Sequence, residues 1–226
     1  MELSKFKAAS RVPSTSLPGL KLMAMLLLCG CAAKPKVEKL PFYNTADFTA
    51  EWIKRGDKGY DNIHKIGKFS FCDQLGHTFT NESLKGKVYT ANFFFTICTS
   101  ICPPMMHNLK KLQDSFFKDE RVQMISFSVM PGTDSVAQLA AYGQRMEINP
   151  MKWHLLTGDE QAINTLGRQS FFAEKKEGLK KEATEFLHTQ AMLLIDQQSR
   201  IRGVYDATLP GEIDKAAADI KMLLEE

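Results

Sequence analysis

The sequence has no apolar run that could cross a membrane and no block of like charge. Its apolar stretch near the N-terminus, residues 22–28, holds seven residues, whereas a spanning helix needs about 20. The 29 basic side chains exceed the 26 acidic ones by three, and this excess lies before residue 32. Because the rest of the chain is neutral, its composition excludes a charge-driven interface with nucleic acid and a polybasic membrane patch. Internal repeats and low-complexity tracts are absent too.

Cysteine is also scarce, and two of the five cysteines lie in a segment with the features of a targeting sequence. A basic stretch ends at Lys21, and the apolar run that follows leads to Cys31. This pattern resembles a bacterial lipobox, in which the cysteine after a small residue is lipidated and becomes the mature N-terminus. Cys31 fits because Gly30 precedes it, whereas Cys29 follows the bulky Leu28. An ordinary cleaved signal peptide is the alternative.

Both forms of the N-terminus imply an exported protein. We therefore expect a lipoprotein-type signal peptide over residues 1–31, a tether and N-terminal extension over 32–60, and a folded domain over 61–226. The lipid would anchor the protein to a bacterial membrane, with the domain facing the periplasm or the cell exterior. In such a compartment, a close pair of cysteines can form a disulfide, a metal site, or both in alternation.

The order of apolar segments predicts an α/β sandwich. Residues 88–96 and 122–129 are continuous apolar, β-branched and aromatic runs, which are typical of central strands covered on both faces. The predicted strands are 66–71, 77–80, 88–96, 122–129, 153–156, 191–196 and 201–205, and the predicted helices are 103–118, 135–146, 160–169 and 212–224. Asp134 is the predicted cap of the second helix, and residues 172–184 are a predicted loop. The order resembles a thioredoxin-like fold, with a mixed central sheet flanked by helices and an N-terminal β-hairpin.

The loop after the first central strand carries the remaining close pair of cysteines, Cys98 and Cys102. It leaves a buried strand and leads into a helix, where α/β sheets place their sites. Pro103 suits the first helical position and disfavours helical geometry at the residue before it, so Cys102 is the predicted N-cap. The free N–H groups and the dipole of the helix would favour a thiolate there. A loop of three residues can bring Cys98 within disulfide or shared-metal range.

Two thiolates make a soft metal site, which favours monovalent copper or zinc, and an added imidazole suits copper as Cu(I) or Cu(II). Of the five histidines, His188 is best placed, because it directly precedes the predicted strand 191–196. In a thioredoxin-like fold, the start of that strand faces the cysteine loop. His188 is therefore the candidate third ligand beside Cys98 and Cys102, and the alternative is a buried, hydrogen-bonded strand residue with no ligand role.

At this point the chain resembles a known family. The segments FSFCDQLGHTFT, KGKVYTANFFFT, CTSICPPM, WHLLTGD, LHTQAMLLID and RIRGVYDAT are similar to those of the Sco/SenC family over about residues 64 to 224. The resemblance implies that Cys98, Cys102 and His188 bind copper and that the cysteines alternate with a redox disulfide. It also implies a metallochaperone, rather than an enzyme, that helps assemble the binuclear copper centre of cytochrome c oxidase. The implied partners are the copper-bearing oxidase subunit, other copper chaperones and thioredoxin-like reductants.

Two positions depart from the family pattern. Many relatives have proline after the first cysteine, where this chain has Thr99. Many also have Asp-Pro after the second central strand, where this chain has Met130 and Pro131. The first difference predicts a less rigid loop, and the second removes an acidic side chain without changing the expected ligands.

Other functions remain open for the same cysteines. A thiol–disulfide oxidoreductase would use them without metal, although redox members of this fold usually have a C-x-x-C motif and a proline facing it. A peroxidase would match Thr99 and Cys102, but Phe95 replaces the proline expected upstream. A purely structural disulfide is also compatible with the sequence, and so is a mixed role in which the cysteines reduce a partner before metal transfer.

The remaining sulfur and imidazole side chains have simpler interpretations. Met105 and Met106 follow the cysteine loop on a helix, so we expect them to pack in the core, with His107 at the surface. Cys72 lies in the predicted hairpin and is interpreted as a bystander thiol. The histidines interpreted as ordinary surface or turn residues are His64, His77 and His154.

Overall fold

The computed structural model describes residues 39–173 and 189–226. The strands of these residues are β1 (Phe42–Tyr43), β2 (Ala50–Glu51), β3 (Ser70–Asp73), β4 (Thr78–Thr80), β5 (Val88–Phe94), β6 (Val122–Ser128), β7 (Trp153–Thr157), β8 (Ala191–Ile195) and β9 (Ile201–Asp206). The helices are α1 (Cys102–Ser115), α2 (Val136–Arg145), α3 (Glu160–Gln169) and α4 (Pro210–Leu223). None of the helices in these residues has the length and hydropathy that a membrane crossing needs.

Seven of these strands form one mixed sheet, in the order β4-β3-β7-β6-β5-β8-β9. The central strands β5 and β6 are parallel to each other, and all of their residues are buried. This burial explains their continuous apolar sequence, since both faces of the strands contact other layers. β8 pairs with β5 in the antiparallel direction, so β8 starts at the edge of the sheet where β5 ends.

Helices and loops cover both faces of the sheet. Buried residues of α1, α2 and α4 pack on one face in a cluster that includes Cys102, Met124 and Trp153. Residues of α3 and of the N-terminal part of the domain pack on the other face, in a second cluster around Phe127 and Phe171. Neighbouring residues of β6, such as Met124 and Ile125, belong to opposite clusters because side chains of a strand alternate between its faces.

The element boundaries test the sequence predictions closely. The α/β sandwich, both hairpins and α3 are confirmed, although β3 begins at Ser70, four residues later than predicted. The predicted cap of α2 is wrong by one residue, because the side chain of Ser135 accepts the hydrogen bond from the N–H of Gln138. Asp134 is buried and makes other contacts. The predicted loop 172–184 lies mostly outside the described residues.

The edge strand β9 binds the start of the described chain through one arginine. Arg202 donates from Nε to the carbonyl of Pro41 and from Nη2 to the carbonyl of Leu40. Its guanidinium also lies 4.3 Å from the ring centroid of Phe42. Arg202 also binds residue 226, because the Glu226 carboxylate accepts hydrogen bonds from both of its terminal nitrogens at 2.9 Å.

Candidate metal site at the cysteine loop

The cysteine loop joins the carboxyl end of the central strand β5 to the first turn of α1. β5 ends at Phe94, and α1 begins at Cys102. The loop therefore lies at the carboxyl ends of the central parallel strands, where α/β proteins commonly hold ligands. In the register of β5 and β8, Asn92 lies opposite Met192. The start of β8 thus lies at the same edge as the cysteines.

The two cysteines of this loop differ in exposure. Cys102 is only 3% exposed, whereas Cys98 is half-buried and accessible from solvent. The backbone N–H of Cys102 lies 3.4 Å from the Cys98 sulfur, to which it donates. The Ser100 hydroxyl lies 3.9 Å from the same sulfur. Both cysteines are free thiols, and the loop turns Cys98 back over the first turn of the helix.

The prediction that Cys102 is the N-cap of α1 is wrong by one residue. Ile101 is the cap, and its carbonyl accepts the first helical hydrogen bond, from the N–H of Met105 at 3.2 Å. The proline that follows Cys102 disfavours a helical residue there, but burial of the Cys102 side chain in the core cluster overrides this local preference. Pro103 and Pro104 are exposed in the first turn.

The predicted site of the thiolate is also wrong. Burial, together with the smaller effect of a hydrogen bond with the Cys98 sulfur, raises the pKa of Cys102 to about 12. For Cys98, burial acts in the same direction, but hydrogen bonds from Cys102 and Ser100 outweigh it and lower the pKa below its ordinary value. The helix N-terminus thus stabilises a thiolate on Cys98, because the N–H of Cys102 donates to the other cysteine.

A buried carboxylate lies directly behind the loop. The N–H of Thr96 donates to Oδ2 of Asp134 at 3.1 Å, and the Thr96 hydroxyl donates to Oδ1 at 2.5 Å. The Ser128 hydroxyl, at the end of β6, donates to Oδ2 at 2.6 Å. Asp134 therefore joins the root of the cysteine loop to the neighbouring parallel strand. The sequence signal for this contact was a polar residue after each of two buried runs, since parallel strands end at the same edge.

The thioether side chains near the cysteines belong to the core, as predicted. Met105 and Met106 are fully buried and share a cluster with Cys102 and Met192. The side-chain amide of Asn92 contacts the Met105 sulfur at 3.9 Å. His107 is exposed, which confirms its expected surface position.

The other histidines lie away from the cysteine loop, and two of them, His154 and His64, are half-buried rather than at the surface. The imidazole of His154 is 15% exposed, and its Nδ1 lies 3.7 Å from Asp73 Oδ2. Its ring contacts Phe79, with 4.3 Å between centroids, and burial lowers its pKa. His154 is therefore a half-buried strand residue rather than a surface residue, as its alternation with buried neighbours in β7 indicates. His77 is exposed, as expected. His64 is half-buried, its Nε2 lies 2.7 Å from the carbonyl of Ser170, and its ring contacts Phe172 with 4.4 Å between centroids.

Two predicted site residues, His188 and Cys31, lie outside the described residues. The described chain resumes at Thr189, the residue after His188, just before β8. Within residues 39–173 and 189–226, no three His, Cys, Asp or Glu side chains form a group that could hold a metal ion. Cys72 lies in β3, which β6 and β7 separate from β5.

An α/β sandwich with two thiols between its central strand and the following helix defines a thiol-based metal-binding or redox protein. Residues 58–225 match the family model described as SCO1/SenC. The SCO1 protein homolog of Bacillus subtilis (strain 168) is 31% identical over 162 residues, which cover 70% of this chain and 82% of that protein.

Solved structures show the same likeness. A SCO1/SenC family lipoprotein from Bacillus anthracis str. Ames has 30% sequence identity and a TM-score of 0.62, covering 72% of this chain and 96% of that chain. ScoI of Bradyrhizobium japonicum, solved with copper bound, has 27% identity and a TM-score of 0.55, covering 70% and 98%. The predicted thioredoxin-like fold is confirmed. The chain belongs to the SCO1/SenC family of copper-binding proteins, which take part in cytochrome c oxidase assembly.

Proposed function

We propose that this protein is a membrane-anchored metallochaperone that carries copper to the copper-bearing subunit of cytochrome c oxidase. Cys98, Cys102 and His188 are its proposed ligands. The observation that carries the proposal is the convergence of two thiols at the end of β5, with the N–H of Cys102 donating to Cys98. Thiolates are soft ligands that suit Cu(I), and an imidazole extends the site to Cu(II).

The residues of the loop fit such a cargo in different ways. Cys98 has a lowered pKa and is accessible, so it is suited to meet the incoming metal first. Cys102 is buried behind it and would lose its proton when copper binds, because metals bind the thiolate. Supporting the third ligand, the described residue next to His188 lies at the edge of the sheet that carries the loop.

Lipidation of Cys31 is part of the same proposal. It is supported by the small residue before Cys31 and by the relative from Bacillus anthracis, which is a lipoprotein. Lys39, the first described residue, lies eight positions after Cys31, and an extended chain of that length spans at most about 29 Å. Such a tether would keep the metal site near membrane-bound partners. The protein's proposed partners include other copper chaperones, which would supply copper, and thioredoxin-like reductants, which would supply electrons.

The unequal thiols also favour a second candidate function, reduction of a partner's disulfide. The Cys98 thiolate would attack one sulfur of that disulfide and release the other as a thiolate. Cys102 would then lose its proton and attack the Cys98 sulfur, releasing the partner's second thiol. The protein would be oxidised to a Cys98–Cys102 disulfide as the partner is reduced by two electrons.

Copper binding by a His188→Ala variant separates the two functions. We expect the reduced wild-type protein to bind one copper ion, and His188→Ala to lose most Cu(II) binding while it keeps a reducible Cys98–Cys102 disulfide. His107→Ala is the matched control, because His107 is exposed on α1, and it should bind copper as the wild type does. Equal Cu(II) binding by His188→Ala and wild type would reject His188 as a ligand.

Growth with limiting copper tests the same variants in cells. A copper-delivery role predicts that His188→Ala lowers cytochrome c oxidase activity and that added copper restores part of it. A role in thiol reduction alone predicts that only cysteine variants lose activity. Full oxidase activity in copper-limited His188→Ala cells would contradict the copper-delivery role.

Mass spectrometry of the membrane fraction tests the anchor. We expect a diacylglyceryl group on Cys31 at the mature N-terminus, and release of the protein from membranes in Cys31→Ser. Cys29→Ser is the matched control and should remain bound. An unmodified N-terminus at another residue would disprove lipidation at Cys31.

A further inference from the structure

Asp134 is a buried acid that the proposed ligand set does not use. Its exposed fraction is 0%, and its carboxylate accepts hydrogen bonds from the N–H and hydroxyl of Thr96 and from the hydroxyl of Ser128. All three donors are neutral groups. Within the described part of the chain, no arginine, lysine or histidine forms an ion pair with Asp134.

The surrounding hydrogen bonds fix the direction of these contacts. The Thr96 hydroxyl accepts from the amide of Gln138 at 3.4 Å, and the Ser128 hydroxyl accepts from the N–H of Met130 at 3.2 Å. Both hydroxyl hydrogens are thus directed to Asp134. An ionised carboxylate is a pure acceptor, so three donors directed at Asp134 suit a negative charge at this position.

This charge is close to the proposed metal site. Thr96 is two residues from Cys98 in the sequence, so their Cα atoms are at most about 7.6 Å apart. Because the carboxylate is buried, water and salt screen its field much less than they would at the surface.

We propose that Asp134 acts through space as a fixed counter-charge that favours divalent over monovalent copper at the cysteine loop. The proposal rests on copper binding by Cys98, Cys102 and His188. Reduction of Cu(II) by one electron leaves the ligands in place and removes one positive charge from the site. A nearby fixed negative charge stabilises the more positive Cu(II) form, so it makes that reduction less favourable. Asp134 therefore sets the valence preference of the site without being a ligand.

The test compares Cu(I) and Cu(II) affinities of the full chain with those of Asp134→Asn, by competition titration with chelators for each ion. The variant keeps the size of the side chain and an oxygen that accepts from Thr96, but it removes the charge. We expect the ratio of Cu(I) to Cu(II) affinity to rise about tenfold, which for one electron equals a rise of about 59 mV in reduction potential.

Two further variants separate charge from structure. Ser128→Ala removes one hydrogen bond to Asp134 but keeps the charge, so the affinity ratio should stay within about twofold of the wild type. Gln138→Lys places a positive charge beside Thr96 from a half-buried position on α2. It should raise the ratio in the same direction as Asp134→Asn, and it provides the test if the asparagine variant does not fold.

The outcomes are distinct for the two proposals. An unchanged ratio in folded Asp134→Asn, or in Gln138→Lys if Asp134→Asn does not fold, would overturn the role of Asp134 and leave the copper site standing. A larger change in Ser128→Ala than in Asp134→Asn would also overturn it, since hydrogen bonding rather than charge would then be responsible. Failure of the wild-type protein to bind either Cu(I) or Cu(II) would overturn both proposals.

Discussion

Two buried aspartates lie at opposite ends of the central strands, and they differ in the groups that bind their carboxylates. Asp134 lies behind the cysteine loop, where β5 ends, and its hydrogen-bond donors are neutral. Asp196 follows β8 at the edge where β5 begins, and it pairs with Arg200 at 2.8 Å and with Arg202 at 3.3 Å. The exposed fraction is 0% for Asp134 and 1% for Asp196, so burial does not distinguish them.

The difference lies in how each charge is compensated. Arg202 connects Asp196 with Glu226 and with the backbone of residues 40 and 41. That edge is an ion-pair network that fastens the N-terminal extension and the C-terminus to β9. At the cysteine edge, the charge of Asp134 has hydrogen bonds but no cation among the described residues. A buried charge without a paired cation lowers the stability of the fold. Its electric field could instead act on a metal ion bound nearby, as proposed above.

The largest effect is expected from breaking the network at Asp196. Arg202→Met should lower the free energy of unfolding by about 3–5 kcal/mol, because it leaves Asp196 and two carbonyls short of partners in the interior. Urea unfolding measures this loss, and copper affinity should remain unchanged in the folded variant. A loss below about 1 kcal/mol would show that the network contributes little beyond packing.

The two thiols of the cysteine loop should differ in reactivity. In a reduced Cys72→Ser background, Cys98 should react with iodoacetamide at least about a hundredfold faster than Cys102 at pH 8, because the thiolate is the reactive form. Burial raises the pKa of Cys102 to about 12, whereas the pKa of Cys98 lies below its ordinary value. Peptide mapping after limited alkylation measures the ratio. Equal labelling of the two cysteines would contradict the hydrogen-bond arrangement of the loop.

A smaller effect is expected when one hydrogen bond to the uncompensated charge is removed. Ser128→Ala should lower the free energy of unfolding by about 1.5–3 kcal/mol, the usual range for a hydrogen bond to a charged group. Thermal or urea unfolding measures the change. If Ser128→Ala is as stable as the wild type, Asp134 does not depend on this donor.

The smallest effect is expected at an exposed ion pair far from both buried acids. Arg121 contacts Asp119 at 2.7 Å, but its side chain is 63% exposed. Arg121→Met, the same replacement as at Arg202, should therefore change the free energy of unfolding by less than about 1 kcal/mol. A loss comparable to that of Arg202→Met would remove the distinction between buried and exposed arginines on which the comparison depends.

The errors of sequence reasoning are concentrated around the cysteine loop. Asp134 was predicted to cap α2 because acidic residues are common N-caps, yet Ser135 takes that position. The competing contact is with Thr96, which lies 38 residues away in the sequence. Cys102 was predicted as N-cap because of the following proline, and its burial among α1 and sheet residues overrode that local preference. Each error came from a contact between distant segments.

The sequence by itself determined the order of strands β3 to β9 and of the four helices, the two-cysteine loop between β5 and α1, and the family of the chain, but not the strands β1 and β2. These features depend on apolar periodicity and on short motifs, which are local properties of the chain. Only the tertiary structure decided which thiol has the lower pKa and that Asp134 lies behind the loop. Burial and electrostatic fields depend on which distant segments meet in the folded protein, and no local pattern specifies that meeting.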